Sequence, residues 1–347
     1  MIGLTIVTGG AGFVGSHLVA HLVESGQQVR VIERPGAAVE HLPDSVQVVF
    51  ADIRERGALD RALRGGTWVY HLAANPNLWV RDRRQFDLVN HRGTIHVLDA
   101  ALAAGARRVL HTSTESILTK ARAAGPIDEN VEITLGDAVG PYCRSKLLAE
   151  QYAFSLAAKG CPVVVANPTM PVGPYDRSYT PPTRLVVDFC RGRLPATMEC
   201  TLNLIDVRDV ALGLHAVMDR GQVGRRYLLG HENRTLTDFL RLLGELSGVP
   251  VPRFRVPYPL ALGVAWLSEF WADHITGVAP KATVTGVRLA RRIMHFDVAR
   301  SLAEIRLNPR PLRESLVDAL AWLRAAGHLS EVGAGGRLRG DSRLAGN

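Results

Sequence analysis

The sequence predicts an α/β fold, a doubly wound parallel sheet with a smaller C-terminal lobe, on three observations. Short apolar runs alternate with segments of helical spacing from the first residues onward, the pattern of strands joined by crossover helices. A glycine-rich turn separates the first run from the first helix. At Asn167-Pro168-Thr169-Met170-Pro171-Val172-Gly173-Pro174 the rhythm changes, because prolines remove backbone donors and regular structure is expected to break there.

Leu4 to Val7 reads as the first strand, and Thr8 to Gly15 as a turn into a helix with Leu18, Val19, Leu22 and Val23 at helical spacing. Val29 to Ile32 is the second strand and ends at Glu33. The glycines can be read as Gly9, Gly12 and Gly15, or as Gly10, Gly12 and Gly15. Either register gives a Rossmann-like dinucleotide-binding turn: glycine permits the tight turn, the backbone approach to a pyrophosphate and close helix packing. The phosphates then rest on the helix N-terminus, near Gly9, Gly12, Phe13 and Val14. Glu33 lies about 20 residues beyond, where a carboxylate hydrogen-bonds the adenosine ribose.

Val46 to Phe50 is the third strand, followed by Asp52-Ile53, and Leu59 to Leu63 suits a helix. Trp68 to Leu72 is the fourth strand, ending in Ala73-Ala74, small residues that let a flat ligand approach the backbone. Phe86 to Ala104 has helical spacing with Asn90 inside it, and Arg108 to His111 is the fifth strand. Pro141 to Lys159 is a long helix and Val163 to Ala166 the sixth strand. Later segments, to about residue 325, interleave helices with short strands such as Thr201 to Ile205 and Arg226 to Leu229. The expected division is a dinucleotide-binding domain over 1–168, a substrate-binding lobe interleaved with it over 169–328, and a polar, glycine-rich tail over 329–347 without order.

With 347 residues, 47% hydrophobic and 6% aromatic, the chain has an ordinary globular composition. Its formal charge of +8 comes from arginines dispersed along the chain; no basic helix with base-reading side chains stands out, so nucleic acid is not an expected partner. Cys143, Cys161, Cys190 and Cys200 form no C-x-x-C pair, and no signal peptide precedes the first strand, which suggests a reduced, cytoplasmic protein. Val256 to Leu267 is too short and too interrupted by proline to span a bilayer. It reads as core, with a peripheral membrane contact through this segment, Trp266, Phe270 and Trp271 as the alternative. The histidines show no metal-ligand spacing, and Asp206 and Asp209 flank a helix start as caps.

Tyr142 and Lys146 stand four residues apart, on one face of the long helix. A cation near a phenol favours the phenolate, so the tyrosine is expected below its usual value of about 10 and able to exchange a proton with an alcohol or a carbonyl. The pair falls near the carboxyl ends of the parallel strands, where ligands of such sheets bind. Just before it, His111-Thr112-Ser113-Thr114-Glu115-Ser116 offers hydroxyls to a reacting oxygen.

The glycine turn, Asp52-Ile53, His71-Leu72-Ala73-Ala74, Asn90-x-x-Gly93-Thr94, Thr112-Ser113-Thr114, Tyr142-x-x-x-Lys146 and Asn167-Pro168 come in one order and spacing. In these the chain resembles the extended short-chain dehydrogenases/reductases of the NAD-dependent epimerase/dehydratase type. Asn167 to Pro174, Arg191 to Pro195, Leu202 to Val210 and Tyr227 to Gly230 most resemble the hopanoid-associated sugar epimerases, dihydroflavonol reductases and 3β-hydroxysteroid dehydrogenase-like enzymes. The resemblance implies Tyr142 as acid/base, Lys146 as its modulator and a nicotinamide-ribose ligand, and Thr114 as the catalytic hydroxyl. It also implies adenine contacts at Asp52 and Ile53, and cofactor contacts at Leu72, Ala73, Ala74, Asn90, Thr112, Asn167, Pro168 and Thr169. Glu115 departs from the pattern, which usually has a small or apolar residue there; it reads as a surface residue first and as a second acid/base otherwise. Glu33 favours NAD, while Arg34 stands where NADP-preferring relatives keep an arginine. The resemblance further implies a homodimer through the helices near 86–104 and 141–159.

The leading expectation is an NAD(P)-dependent oxidoreductase that interconverts a secondary alcohol and a ketone. Met170, Tyr175, Leu185, Phe189, Met198, Leu202, Tyr258, Leu260 and Trp266 form an apolar inventory that suits a polycyclic or lipid-like substrate, or simply a core. The alternative is a sugar-nucleotide epimerase with tightly held cofactor, in which Arg184, Arg191, Arg193 and Arg208 grip a diphosphate. A dinucleotide-binding sensor without catalysis is the third reading.

Overall fold

The computed structural model describes residues 3–120 and 125–329. In chain order the elements are β1 (Leu4–Thr8), α1 (Phe13–Glu24), β2 (Val29–Glu33), β3 (Gln47–Phe50), α2 (Arg56–Ala62) and β4 (Gly66–His71). A π-helix (Phe86–Arg92) leads into α3 (Gly93–Ala103), and β5 (Arg108–Thr112), α4 (Gly140–Ala158), β6 (Val163–Pro168) and β7 (Met170–Val172) follow. The rest comprises α5 (Pro181–Cys190), β8 (Thr201–Asp206), α6 (Val207–Arg220), β9 (Arg226–Leu229), β10 (Glu232–Thr235), α7 (Leu236–Ser247), α8 (Tyr258–Trp271), a π-turn (Ala272–Thr276), α9 (Val284–Ala290), α10 (Ala299–Ile305) and α11 (Leu312–Ala325).

Seven strands form one sheet in the order β3-β2-β1-β4-β5-β6-β9, with every neighbouring pair parallel. Both faces are covered, as parallel sheets require. On one side Leu18, Val19 and Leu22 of α1 and Val210, Leu214 and Met218 of α6 pack on Val31, Tyr70 and Val164. On the other, Leu59 of α2, Val97 and Leu98 of α3 and Leu156 of α4 pack on Ile6, Val69 and Val163. A second sheet, β10-β8-β7, lies with α5, α7 and α11 around a separate apolar cluster built on Phe189, Leu204, Phe239 and Leu316.

Three features differ from the sequence expectations. Asn167 and Pro168 finish β6, and Met170–Val172 forms β7, where a proline-rich loop was expected. The prolines fit because β7 is an edge strand, its only partner being β8, so Pro171 can face outward without a donor. Arg226–Leu229, expected among the strands of the later lobe, pairs with β6 in the large sheet. The helix expected over 86–104 begins as a π-helix. The expected tail at 329–347 lies, apart from Leu329, outside the described residues.

Candidate functional site

The site gathers where β1, β4 and β5 end. Gly9 has φ of +73°, and a Cβ there would stand 2.7 Å from the Ala73 nitrogen, so the turn and the end of β4 can meet only through glycine. At Gly12 a Cβ would meet just the Gly9 carbonyl, at 3.3 Å, leaving open space before the first turn of α1. No side chain caps that helix, and Phe13 is buried while Val14 is half-exposed. Glu33 closes the side of the turn: its carboxylate accepts the Ala11 amide hydrogen at 2.8 Å. Burial raises Glu33 above the usual carboxylate range, and hydrogen bonds from the Ala11 and Arg34 amides oppose this. Arg34 is exposed beside it, Asp52 is held by Arg54 below the usual range, and Ile53 is buried against Gly93. Leu72, Ala73 and Ala74 are half-buried along the same edge.

A buried polar chain fixes this edge. The Ala73 amide reaches the Thr8 hydroxyl at 3.3 Å, that hydroxyl bonds His71 Nδ1 at 2.8 Å, and His71 Nε2 bonds the Thr94 hydroxyl at 2.9 Å. Thr94 donates to the Asn90 carbonyl at 2.7 Å, so Nε2 carries the proton and Nδ1 accepts from Thr8. Asn90, deep in the π-helix, spends its side-chain amide on Asn75, accepting its N–H at 2.7 Å and donating to its carbonyl at 3.1 Å, and donates to Ser145 Oγ at 3.2 Å. It therefore ties the loop at Asn75 to α4.

Burial lowers His71 to about 3, and His111, whose ring lies 5.7 Å from it, is also lowered well below its usual value. Both stay neutral in the folded chain, whereas an unfolded histidine takes up a proton below about 6.5. Their contribution to stability is therefore complete above that value; for His71 it is lost as the pH falls from about 6.5 toward 3, and for His111 it falls in the same direction. Stability toward urea is expected to fall across this window by about 1.4 kcal/mol per pH unit for His71, with His111 adding in the same direction. A midpoint unchanged between pH 7 and pH 5 contradicts it.

Tyr142 and Lys146 lie on α4 beside the end of β5, both buried. The Tyr142 phenol is raised well above its ordinary value, first by burial and then by the nearby Cys143 and Glu115; the neighbouring Thr114 hydroxyl offsets part of this. This corrects the expectation of a lowered phenol. The ammonium of Lys146 instead donates to the Thr112 carbonyl at 2.7 Å; burial lowers it to about 8, against the pull of Glu150. Thr114 donates to the Glu115 carboxylate at 2.8 Å. Glu115 is half-buried at the start of a 3-10 turn, Glu115–Leu118, and burial raises its carboxyl. The expectation of a surface glutamate is overturned because the chain turns inward after β5. The buried hydroxyls of Thr112 and Ser113 have no partner among the described residues.

Asn167 donates to the Thr114 carbonyl at 3.1 Å and to Glu150 at 2.7 Å, while its side-chain oxygen is buried and unpartnered. Glu150 accepts from Arg226 Nε at 2.9 Å, tying α4 to β9. Pro168 and Thr169 are buried beside it, the Thr169 amide bonding Leu229. The sequence reading missed Glu150, although its place four residues after Lys146 on one helix face was a usable signal. Asp206 caps α6 as expected, accepting the Arg208 amide at 2.7 Å, whereas Asp209 holds Arg310. Of the four arginines expected to grip a diphosphate, Arg208 pairs with Asp206 and Asp318, Arg191 donates to the His328 carbonyl, and Arg184 to the Tyr179 carbonyl. Of the apolar inventory, Phe189 is core, with Met170, Leu185 and Leu202 packed around it, whereas Leu260 and Trp266 are exposed.

The chain matches the model of the NAD-dependent epimerase/dehydratase family over residues 5–230. It is 34% identical over 328 residues to a Synechocystis sp. protein provisionally named dihydroflavonol 4-reductase, covering 93% of this chain and 95% of that one. It is 32% identical over 325 residues to sterol demethylase protein B of Methylococcus capsulatus, covering 93% and 99%. The crystal structure of gox2253 superposes with a TM-score of 0.83 at 32% identity, covering 94% of this chain and 99% of that one.

Proposed function

This chain belongs to the NAD-dependent epimerase/dehydratase family of extended short-chain dehydrogenases/reductases, and on that premise we propose that it interconverts a secondary alcohol and a ketone on an apolar, polycyclic or lipid-like substrate. Like its relatives it is an enzyme, and NAD is the cofactor of its family. The observation that carries the reading is the convergence of Tyr142, Thr114, Glu115 and Lys146 at the end of β5, beside two unpartnered hydroxyls.

The residues fit a dinucleotide. The open space at Gly12 and the uncapped start of α1 suit its phosphates, with Gly9, Phe13 and Val14 around them. Glu33 suits the adenosine ribose and disfavours a 2′-phosphate, so NAD is preferred to NADP despite the exposed Arg34. Asp52 and Ile53 would flank the adenine, and Leu72, Ala73, Ala74, Pro168 and Thr169 would line the way to Tyr142. Asn90 and Asn167 act from behind, Asn167 by holding the Thr114 backbone. The bound cofactor supplies or accepts a hydride.

With its phenol raised by burial, Tyr142 rests protonated and can give that proton to a carbonyl oxygen as hydride reaches the carbon. In the reverse direction the phenolate takes the proton of the alcohol. Lys146 offers a buried cation for the ribose and for the phenolate when it forms. Glu115 accepts the Thr114 hydroxyl and fixes its rotamer; with that hydrogen engaged, Thr114 presents lone pairs to the site. The engagement of Arg184, Arg191 and Arg208 by protein partners favours an apolar substrate over a sugar nucleotide, and the sterol demethylase name of one relative agrees.

The test is absorbance at the NADH band with a panel of sterol-like and polycyclic alcohols and ketones, alongside mass spectrometry of small molecules released from the purified protein. Substrate-dependent change in NADH with reversibly bound cofactor is expected. Stoichiometric, retained NAD with no net NADH overturns the reading in favour of epimerisation. The homodimer through α3 and α4 is part of the same proposal, and a monomer by light scattering rejects it.

A further inference from the structure

α8 is apolar nearly all round, yet Ala265 is its single fully buried residue. A helix of this composition is ordinarily covered. Leu260, Val264, Leu267 and Trp271 repeat at i, i+4, i+7 and i+11, a spacing that aligns them on one face, and the stripe runs on through Ile275 and Val278. Trp266 is 62% exposed, Leu267 71% and Trp271 56%, far beyond the scattered single hydrophobes of a normal surface. The opposite face packs on α9, which sends Leu289 into the apolar cluster around Tyr142.

The charges of this stretch of chain point to an occupant. Between residues 248 and 295 the acids are Glu269 and Asp273, and both are bound by Arg83 of the loop after β4. The cations there are Arg253, Arg255, Lys281, Arg288, Arg291 and Arg292. Arg255 pairs with Glu199; among the described residues the other five have no acidic partner, and Arg253, Lys281, Arg288 and Arg291 are exposed. The Arg291 guanidinium lies 4.6 Å over the Tyr258 ring at the foot of the helix. An apolar stripe with tryptophans, edged by unpaired cations, matches an anionic lipid–water interface: side chains enter the acyl boundary and cations meet headgroups.

We propose that α8 and the turn after it form a docking surface for an anionic lipid bilayer. This surface does not depend on the redox reading, because partition is measured without substrate or turnover.

The experiment is flotation of the full chain with vesicles of phosphatidylcholine, with or without one quarter phosphatidylglycerol. Binding to the anionic vesicles is expected, with a blue shift of tryptophan emission, and salt weakens it. Leu267→Ser with Trp271→Ser is expected to reduce partition at least about tenfold. Lys281→Glu with Arg288→Glu is expected to reduce it about tenfold on anionic vesicles. All four positions are exposed, and circular dichroism confirms that the variants fold. No binding to anionic vesicles, or partition unaltered in both folded variants, overturns the proposal. So does a dimer that fails to float and that Leu267→Ser with Trp271→Ser splits into monomers, since the face then belongs to a second copy.

Discussion

Tyr142→Phe is expected to lower turnover by about 10²- to 10⁴-fold, the range that a positioned acid/base contributes, while dinucleotide affinity stays within a few fold. The phenyl ring retains the buried seat of Tyr142, including its edge contact with Phe86 at 6.3 Å, so fold and cofactor cradle persist and only the transferable proton is lost. Turnover is read as NADH consumed with the best substrate of the panel, and affinity by calorimetry. If Tyr142→Phe turns over at the wild-type rate, the phenol is not the proton donor. Thr114 would then be the next hydroxyl to test, since it stands beside the phenol and is already polarised by Glu115.

Glu150→Ala is expected to destabilise the protein by about 3–5 kcal/mol, the cost of leaving one partner of a buried ion pair uncompensated. Arg226 keeps its other bonds to the Glu129 and Val131 carbonyls but loses its counter-charge, and Asn167 loses one of two acceptors. Equilibrium urea unfolding reads the change. A second effect travels along α4: Glu150 raises Lys146, so its removal moves that ammonium further below about 8. The limb of the pH–rate profile that reports Lys146 shifts to lower pH, a readout that a purely structural role would not move. Glu150→Gln keeps an acceptor for Asn167 without the charge and should separate the two effects. A midpoint and a profile both unaltered in Glu150→Ala would show that the pair contributes nothing net.

Much of this was legible in the sequence because it rests on local rules. Strand and helix alternation, the glycine turn, the Asp206 cap and the spacing of Tyr142 and Lys146 each depend on neighbours within a few residues. What was not legible depends on residues far apart. Whether Lys146 turns to the phenol or to the Thr112 carbonyl is settled by the packing of α4 on β6 and on the 3-10 turn, which sets it beside the end of β5. Glu115 is drawn inward by the 3-10 turn after β5, which its own side chain does not announce. Prolines at 168 and 171 argued against strands, but edge position and strand end, both tertiary facts, make them acceptable. His71 and His111 are neutral because of their depth, and His71 joins the end of β1 to α3.

The large sheet is closed by a strand that the chain supplies only after it has left to build the second lobe. During synthesis β6 must wait, one side unpaired, until β9 emerges and docks. All six residues of β6 are buried in the finished protein, so a polypeptide stopped at residue 168 would carry an open, apolar edge of the kind that recruits other chains. The boundary between the lobes is therefore not a place where the chain can be divided: the two lobes are one folding unit, fastened by Arg226 and Glu150 at the seam.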